Sequence, residues 1–507
     1  MVSHLLPYLE KFEEELSRES YLHSSGQKDE SESAKIYAEY PHLFSREHIT
    51  EAFKKINTRE GKLLYDAFVG NFMGNELKEV SDEMSSYESS AEIDFEGRKL
   101  AFRQASNVLV NEPLREKRKE LYESLKPVKH KLTAYEKDLW EKCYALINQL
   151  SGKSYLDYVS FVKEVDYDAF AEELKEFLVK TDALHKSQLE KNMASVGVKL
   201  EDAMPYDYAF FARAKPFDEF FKKENLVPFA KAFWKGLGFD IDAQKNVVLD
   251  VTEREKKVPR AFCMPIKVPE EVILVIKPHG GQDDYQSFLH ESGHTEHFAN
   301  TNPKLSYELK HMGAHSVSET YAFLIEYLMA DPLFLQNCLK LPKKAAKDFA
   351  EFIMETKLQA FRRYAAKIIY ELKLHRTDLT RLDERFEKTS GKYNDASEMY
   401  VDILTKATKI KYQPEGYLLD VDGGMYSADY VRAWIFEAML RKKLLEKFGK
   451  DWFQKKEAGD FLKGMWSWGS SGKSCEELAQ MIGYGKLDIS VLTKDFVDFF
   501  LGSMPHS

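Results

Sequence analysis

At 507 residues and 44% apolar content, the chain can bury a large core and has the make-up of a globular protein. Its 73 basic and 83 acidic residues leave a net charge of −10, which disfavours generic nucleic-acid binding and suits a soluble cytoplasmic protein. The N-terminal run is charged by Glu10 and lacks an apolar signal core, and runs such as Val272 to Ile276 are far short of a membrane span, so neither secretion nor membrane insertion is expected.

In chain order, the polar residues 23 to 33 read as a loop. From about 46 to 150 the pattern is helical, and the charge run Arg115 to Glu120 reads as a solvated helix face. Asp168 to Ala194 follows as another amphipathic helix. Cys143, Cys263, Cys338 and Cys475 are widely spaced with no C-x-x-C pattern, which fits buried, reduced thiols. Helix then gives way to three short β-rich runs, Val247 to Val251, Ala261 to Ile266 and Val272 to Ile276. Gly280-Gly281 allows a tight turn into the next helix.

That helix carries His290-Glu291-Ser292-Gly293-His294, an H-E-x-x-H arrangement. Residues four apart share a helix face, so His290 and His294 can hold one metal ion together, with Glu291 placed to take a proton from a metal-bound water. Zinc fits, because three protein ligands leave a fourth position for water whose pKa the metal lowers to about 7. Asp283 and Asp284 suit the positive end of the helix dipole, and Phe288, Leu289 and Phe298 mark the helix as packed. Gly293, unfavourable in a helix interior, points to another backbone or a substrate approaching closely. The longer H-E-x-x-H-x-x-G-x-x-H pattern is excluded by His297 and Asn300.

The third ligand comes from downstream, where Glu308, Glu319 and Glu326 are the carboxylate candidates and His297, His311 and His315 the nitrogen alternatives. Glu319 opens an apolar-periodic run through Leu328 and is assigned as ligand; Glu326, two turns on, is either a group that orients a histidine or an ordinary, partly exposed helix residue. Helix continues through residue 450 and on toward the end, apart from a Gly-Ser loop at 469 to 474. The expected fold is mostly α, with a small sheet at about 246–277 beside the motif helix. A helical region 1–150 precedes a metal-site region 151–507, arranged as two helical lobes with a central cleft.

The chain resembles the thimet oligopeptidase and oligoendopeptidase F family of zinc metallopeptidases. The resemblance rests on the His290 to His294 motif with Gly293, on Glu319 with its companion Glu326, and on the segment Gly423 to Trp434. It implies one zinc ion on His290, His294 and Glu319, Glu291 as general base, and Tyr426 and Tyr430 near the transition state. Tyrosine hydroxyls are suitable donors to an oxyanion. The chain departs from the family in having Asp420-Val421-Asp422 where a histidine is usual, and Ala433 where a further tyrosine is usual.

The function this implies is hydrolysis of internal bonds in short peptides, with a strand beside the motif helix pairing with the substrate backbone. One alternative is a carboxypeptidase of the carboxypeptidase Taq kind, for which Arg432, otherwise a surface helix residue, offers a cation to the terminal carboxylate. Another is a zinc-stabilised peptide-binding protein without turnover, against which the intact Glu291 argues.

Overall fold

The computed structural model describes residues 4–377, 393 and 395–502, and most of them are helical. The elements that frame the site are α1 (Leu6–Ser24), the strands β1 (Glu92–Phe95) and β2 (Arg98–Ala101), and α2 (Arg115–Ser124). Then come α3 (Tyr167–Lys180), α4 (Asp182–Ser195), β3 (Val247–Asp250), β4 (Phe262–Lys267) and β5 (Glu271–Val275). They are followed by α5 (Gln282–Ala299), α6 (Ser316–Glu326), α7 (Lys343–Arg376) and α8 (Tyr426–Phe448). The chain folds into two compact units, each built from non-contiguous segments. Met1–Phe68, Lys215–Met354 and Asp429–Phe496 form the first; Val69–Ala214, Glu355–Ala428 and Val497–Ser507 form the second.

In the first unit the three β-rich runs form one sheet in the order β3-β5-β4, with β5 parallel to β3 and antiparallel to β4. Val272, Ile273, Leu274 and Val275 are at most 3% exposed, the continuous apolar run of a strand covered on both faces. β4 is an edge strand, and it tolerates Pro265, which has no N–H to offer a ladder. The motif helix α5 packs against β4, β5 and α6. From α1, Arg18 grips Glu271 with two bonds of 2.9 and 2.7 Å and Tyr21 donates to Asp250 at 3.1 Å. The turn into α5 uses positive φ at Gly280 (+89°) and Gly281 (+98°). Asp284, within the first turn of α5, accepts the N–H groups of His279 and Gly280 at 2.5 and 2.7 Å.

In the second unit three expectations give way. The helical reading of 46–150 is interrupted by the antiparallel hairpin β1–β2. Its two turn residues, Glu96 and Gly97, both take positive φ, and Ile93 and Phe95 alternate into the core. The charge run in α2 is not wholly solvated: Arg118 is 1% exposed and pairs at 3.1 Å with the fully buried Asp207, which Arg115 also holds. Asp168 to Ala194 is two helices, α3 and α4, broken at Thr181. Arg362 fills that break, donating to Thr181 Oγ1 at 2.6 Å and pairing with Asp182 at 2.7 Å.

No helix of the described residues is long and apolar enough to cross a membrane. The four cysteines are free thiols; Cys475 is buried as expected, whereas Cys143, Cys263 and Cys338 keep part of their surface exposed.

Candidate metal centre

The close approach of α5 and α6 creates the centre. A β-carbon built on Gly293 would lie 2.7 Å from both Ala322 Cα and Tyr321 O, so the crossing requires glycine. Of the two explanations for Gly293, the neighbouring backbone is the one realised. At this separation Glu319, in the first turn of α6, faces His290 and His294 on α5. Its Oε2 is 3.4 Å from His290 Nε2 and 3.7 Å from His294 Nε2. One ligand atom from each of the three residues falls within 4.8 Å of the other two. Two imidazole nitrogens and a carboxylate oxygen make a donor set suited to zinc, with a position to spare.

Both rings are aimed by their other nitrogen. His290 Nδ1 meets Glu326 Oε2 at 2.7 Å, and Gln286 donates to Glu326 Oε1 at 2.6 Å. His294 Nδ1 meets Ser318 Oγ at 2.6 Å. One orienting partner is therefore a carboxylate and the other a hydroxyl. Burial opposes charge on both rings, but at His290 the carboxylates of Glu319 and Glu326 prevail and raise its pKa to about 10. At His294 burial prevails over Glu319 and lowers it to about 3.

Glu291 does not join this trio. Its Oε2 accepts the N–H of Cys263 on β4 at 2.9 Å, and burial raises its carboxyl above the ordinary value. Among the described residues the remaining candidates do not join the trio at ligand distance. His297 is fully buried with its ring 4.9 Å from Tyr321, and His311 accepts the N–H of Val268 at 3.2 Å. Glu308 is buried in the helix Tyr307–His311, and His315 precedes α6.

Tyr430 lies one ring away from His290: its centroid is 5.7 Å from Phe323, which is 5.1 Å from His290. Tyr426 is the first residue of α8, one turn before Tyr430. Ala433 is fully buried, and its carbonyl accepts from Thr320 Oγ1 of α6 at 3.4 Å. Arg432 is 9% exposed and paired with Glu476 at 2.7 Å; it is neither a surface residue nor a free cation.

Sequence comparison matches the chain to no protein-family profile and to no curated protein. Solved structures do match. A protein assigned as a peptidase from Chlamydophila abortus superposes with a TM-score of 0.66 at 14% identity, over 98% of this chain and 89% of that one. One assigned as an oligoendopeptidase F from Bacillus anthracis str. Ames gives 0.59 at 15% identity, over 98% and 84%. The chain shares the fold of these two structures. Within that fold, residue spacing reaches the trio and Glu326 but not Ser318, Gln286 or the contact between Cys263 and Glu291. Ser318 directly precedes Glu319 and Gln286 lies one turn before His290, so helix geometry offers a signal for both. The Cys263 contact depends on where β4 lies and has no counterpart in spacing.

Proposed function

We propose that the protein is a zinc-dependent peptidase that hydrolyses internal bonds of short peptides. The observation that carries this reading is the convergence of His290, His294 and Glu319, with both rings oriented through Nδ1 and with Glu291 beside them, bonded to the backbone of β4. A zinc ion held there would supply Lewis acidity and lower the pKa of water. Glu291 is the base that accepts the water's proton and passes it to the leaving amine, and burial raises its carboxyl toward the range such a task needs. The edge strand β4 offers backbone groups to an extended peptide beside that base. Tyr430 and Tyr426 donate to the oxyanion. The likeness to structures assigned as peptidases supports the same substrate class.

Mass-spectrometric mapping of cuts in a mixed peptide library tests the reading, with zinc-loaded protein compared against Glu291→Gln. The variant is expected to keep its zinc and lose at least about 10²–10⁴-fold in rate; a variant as fast as the parent would overturn the base assignment. Peptides amidated at the C-terminus should still be cut, since Arg432, the cation a carboxypeptidase would need, is engaged by Glu476. Tyr430→Phe should lower kcat with little change in KM; a change in KM alone would make Tyr430 a binding residue.

A further inference from the structure

The unpaired edge of β4 leads from Glu291 to an acidic cavity. Helix α1 crosses the sheet: Tyr21 bonds to Asp250 on β3 and Arg18 to Glu271 on β5. A helix rising about 1.5 Å per residue passes one strand, about 4.8 Å wide, in about three residues. The residues one and two turns before Arg18 therefore lie over β4 and beyond it. There Glu10, Glu13 and Glu14 line a cavity of about 200 Å³ together with Pro265 and Lys267 of β4. Its wall also includes Tyr307 and His311, whose rings stack at 4.9 Å, and His311 is tied to the end of β4 by the N–H of Val268. All of these residues belong to the first unit, as do Glu291 and the trio.

The charge of this cavity is largely uncompensated. Glu14 pairs with Arg18 at 3.5 Å, but Glu10 and Glu13 have no ion pair among the described residues. Burial raises the Glu13 carboxyl above its ordinary value, with no cation to offset it. Tyr307 is held protonated by burial and then by the charges of Glu13 and Glu10, so these three groups face one space. Burial lowers His311 to about 4, which leaves its ring neutral, and Lys267 is exposed. Two carboxylates beside an aromatic ring are a receptor for an ammonium or guanidinium group. At the other end of β4 the polarity reverses. Arg260, two residues before Phe262, is exposed, has no ion pair among the described residues, and its charge acts on Glu291. Glu291, bonded to Cys263, thus stands between a cation three residues back and an anionic cavity two to four residues on, about 7–13 Å along the strand.

A short peptide carries the same polarity, with an ammonium at one end and a carboxylate at the other. Laid antiparallel to β4, its N-terminal half points to the cavity and its C-terminal half to Arg260. We infer that the cavity is a specificity site for a cation in the N-terminal half of the substrate, received by Glu10 and Glu13, whether that cation is the α-ammonium or a basic side chain. This rests on the peptidase reading. The experiment compares the full zinc-loaded chain with Glu10→Gln/Glu13→Gln, Glu13→Lys and Arg260→Gln. The substrates are alanine-based octapeptides, matching the eight residues from Arg260 to Lys267. They carry a free or acetylated N-terminus, and lysine, norleucine or glutamate in the N-terminal half. Cleavage is followed by chromatography, and binding of the same peptides to the Glu291→Gln form by calorimetry.

In the parent, removing the cation that fills the cavity should raise KM about tenfold while kcat stays within about twofold. A rise on acetylation assigns the cavity to the α-ammonium; a rise on replacing lysine by norleucine assigns it to a side chain. Glu10→Gln/Glu13→Gln should abolish that difference. Glu13→Lys should turn it into a preference for glutamate over lysine, which the loss of a merely structural residue would not do. Amidating the C-terminus should raise KM about threefold in the parent and not in Arg260→Gln. The inference is overturned if the parent ignores both changes, or if the double variant discriminates as the parent does. An amidation effect that survives Arg260→Gln overturns the antiparallel direction. If the parent cuts no peptide, the peptidase reading fails on its own. Equal affinity of the Glu291→Gln form for cationic and neutral peptides would then overturn the role of the cavity separately. Should the double variant fail to fold, Glu10→Gln alone decides on the same comparison.

Discussion

The metal-ligand region and the turn that starts α8 are both buried polar assemblies, built by opposite means. His290 and His294 are neighbours on one helix, and Glu319 and Glu326 are neighbours on the helix packed against it. Short spacings generate nearly everything there. The turn at 420–427 instead draws Tyr155, Arg363, Lys367, Glu371 and Tyr400 from remote parts of the chain. The first assembly leaves its ligand atoms facing one another; the second closes its polar groups on one another within the protein. A polar cluster whose donors face one another is a candidate for binding, whereas one that pairs internally is a candidate for holding shape.

That contrast can be broken most severely at the helix crossing. Gly293→Ala forces a β-carbon into backbone atoms at 2.7 Å and should cost about 1–3 kcal/mol, together with most of the zinc affinity. Thermal melting with and without zinc checks it, and an unchanged melting temperature would mean the helices separate freely. Next in size are the orienting groups. Glu326→Gln should weaken zinc binding by about 10–100-fold, because the charged partner of His290 is lost. Ser318→Ala should cost less, about threefold, since a neutral hydroxyl makes the weaker bond. Competition against a chromogenic chelator ranks the two, and the reverse order would remove the distinction between them.

The smallest effect belongs to the internally paired assembly. Burial raises Glu371 from its ordinary 4.5 to about 8, so between those values the folded chain holds a proton that the unfolded chain releases. Stability from this group is therefore full below about pH 4.5 and declines as pH rises toward 8. Glu371→Gln should flatten that decline in melting temperature across the same window. A curve parallel to the parent's would show that Glu371 titrates alike in both states.

Legibility in sequence follows the same division. The strands β3 to β5, the turn at Gly280-Gly281 and the grouping of Glu319 with His290 and His294 follow from period, spacing and residue chemistry over a few turns, whereas spacing leaves Glu326 open between an orienting group and an ordinary helix residue until its bond to His290 is seen. Arg118 is misleading because a run of charges looks solvated until Asp207, 89 residues on, is known to lie against it. The stripe at Arg363, Lys367 and Glu371 is invisible for the same reason: charges four apart are what a surface helix shows, and its partners appear some fifty residues later. The hairpin β1–β2 escapes because four-residue strands flanked by charged helices give little alternation to detect.

The crossing at Gly293 also bears on register. Advancing α5 along α6 by one residue would bring the β-carbon of Ser292 or His294 to the point where a β-carbon meets backbone at 2.7 Å, so the contact disfavours such a shift. The backbone frame that carries His290, His294 and Glu319 is thereby set by helix packing itself.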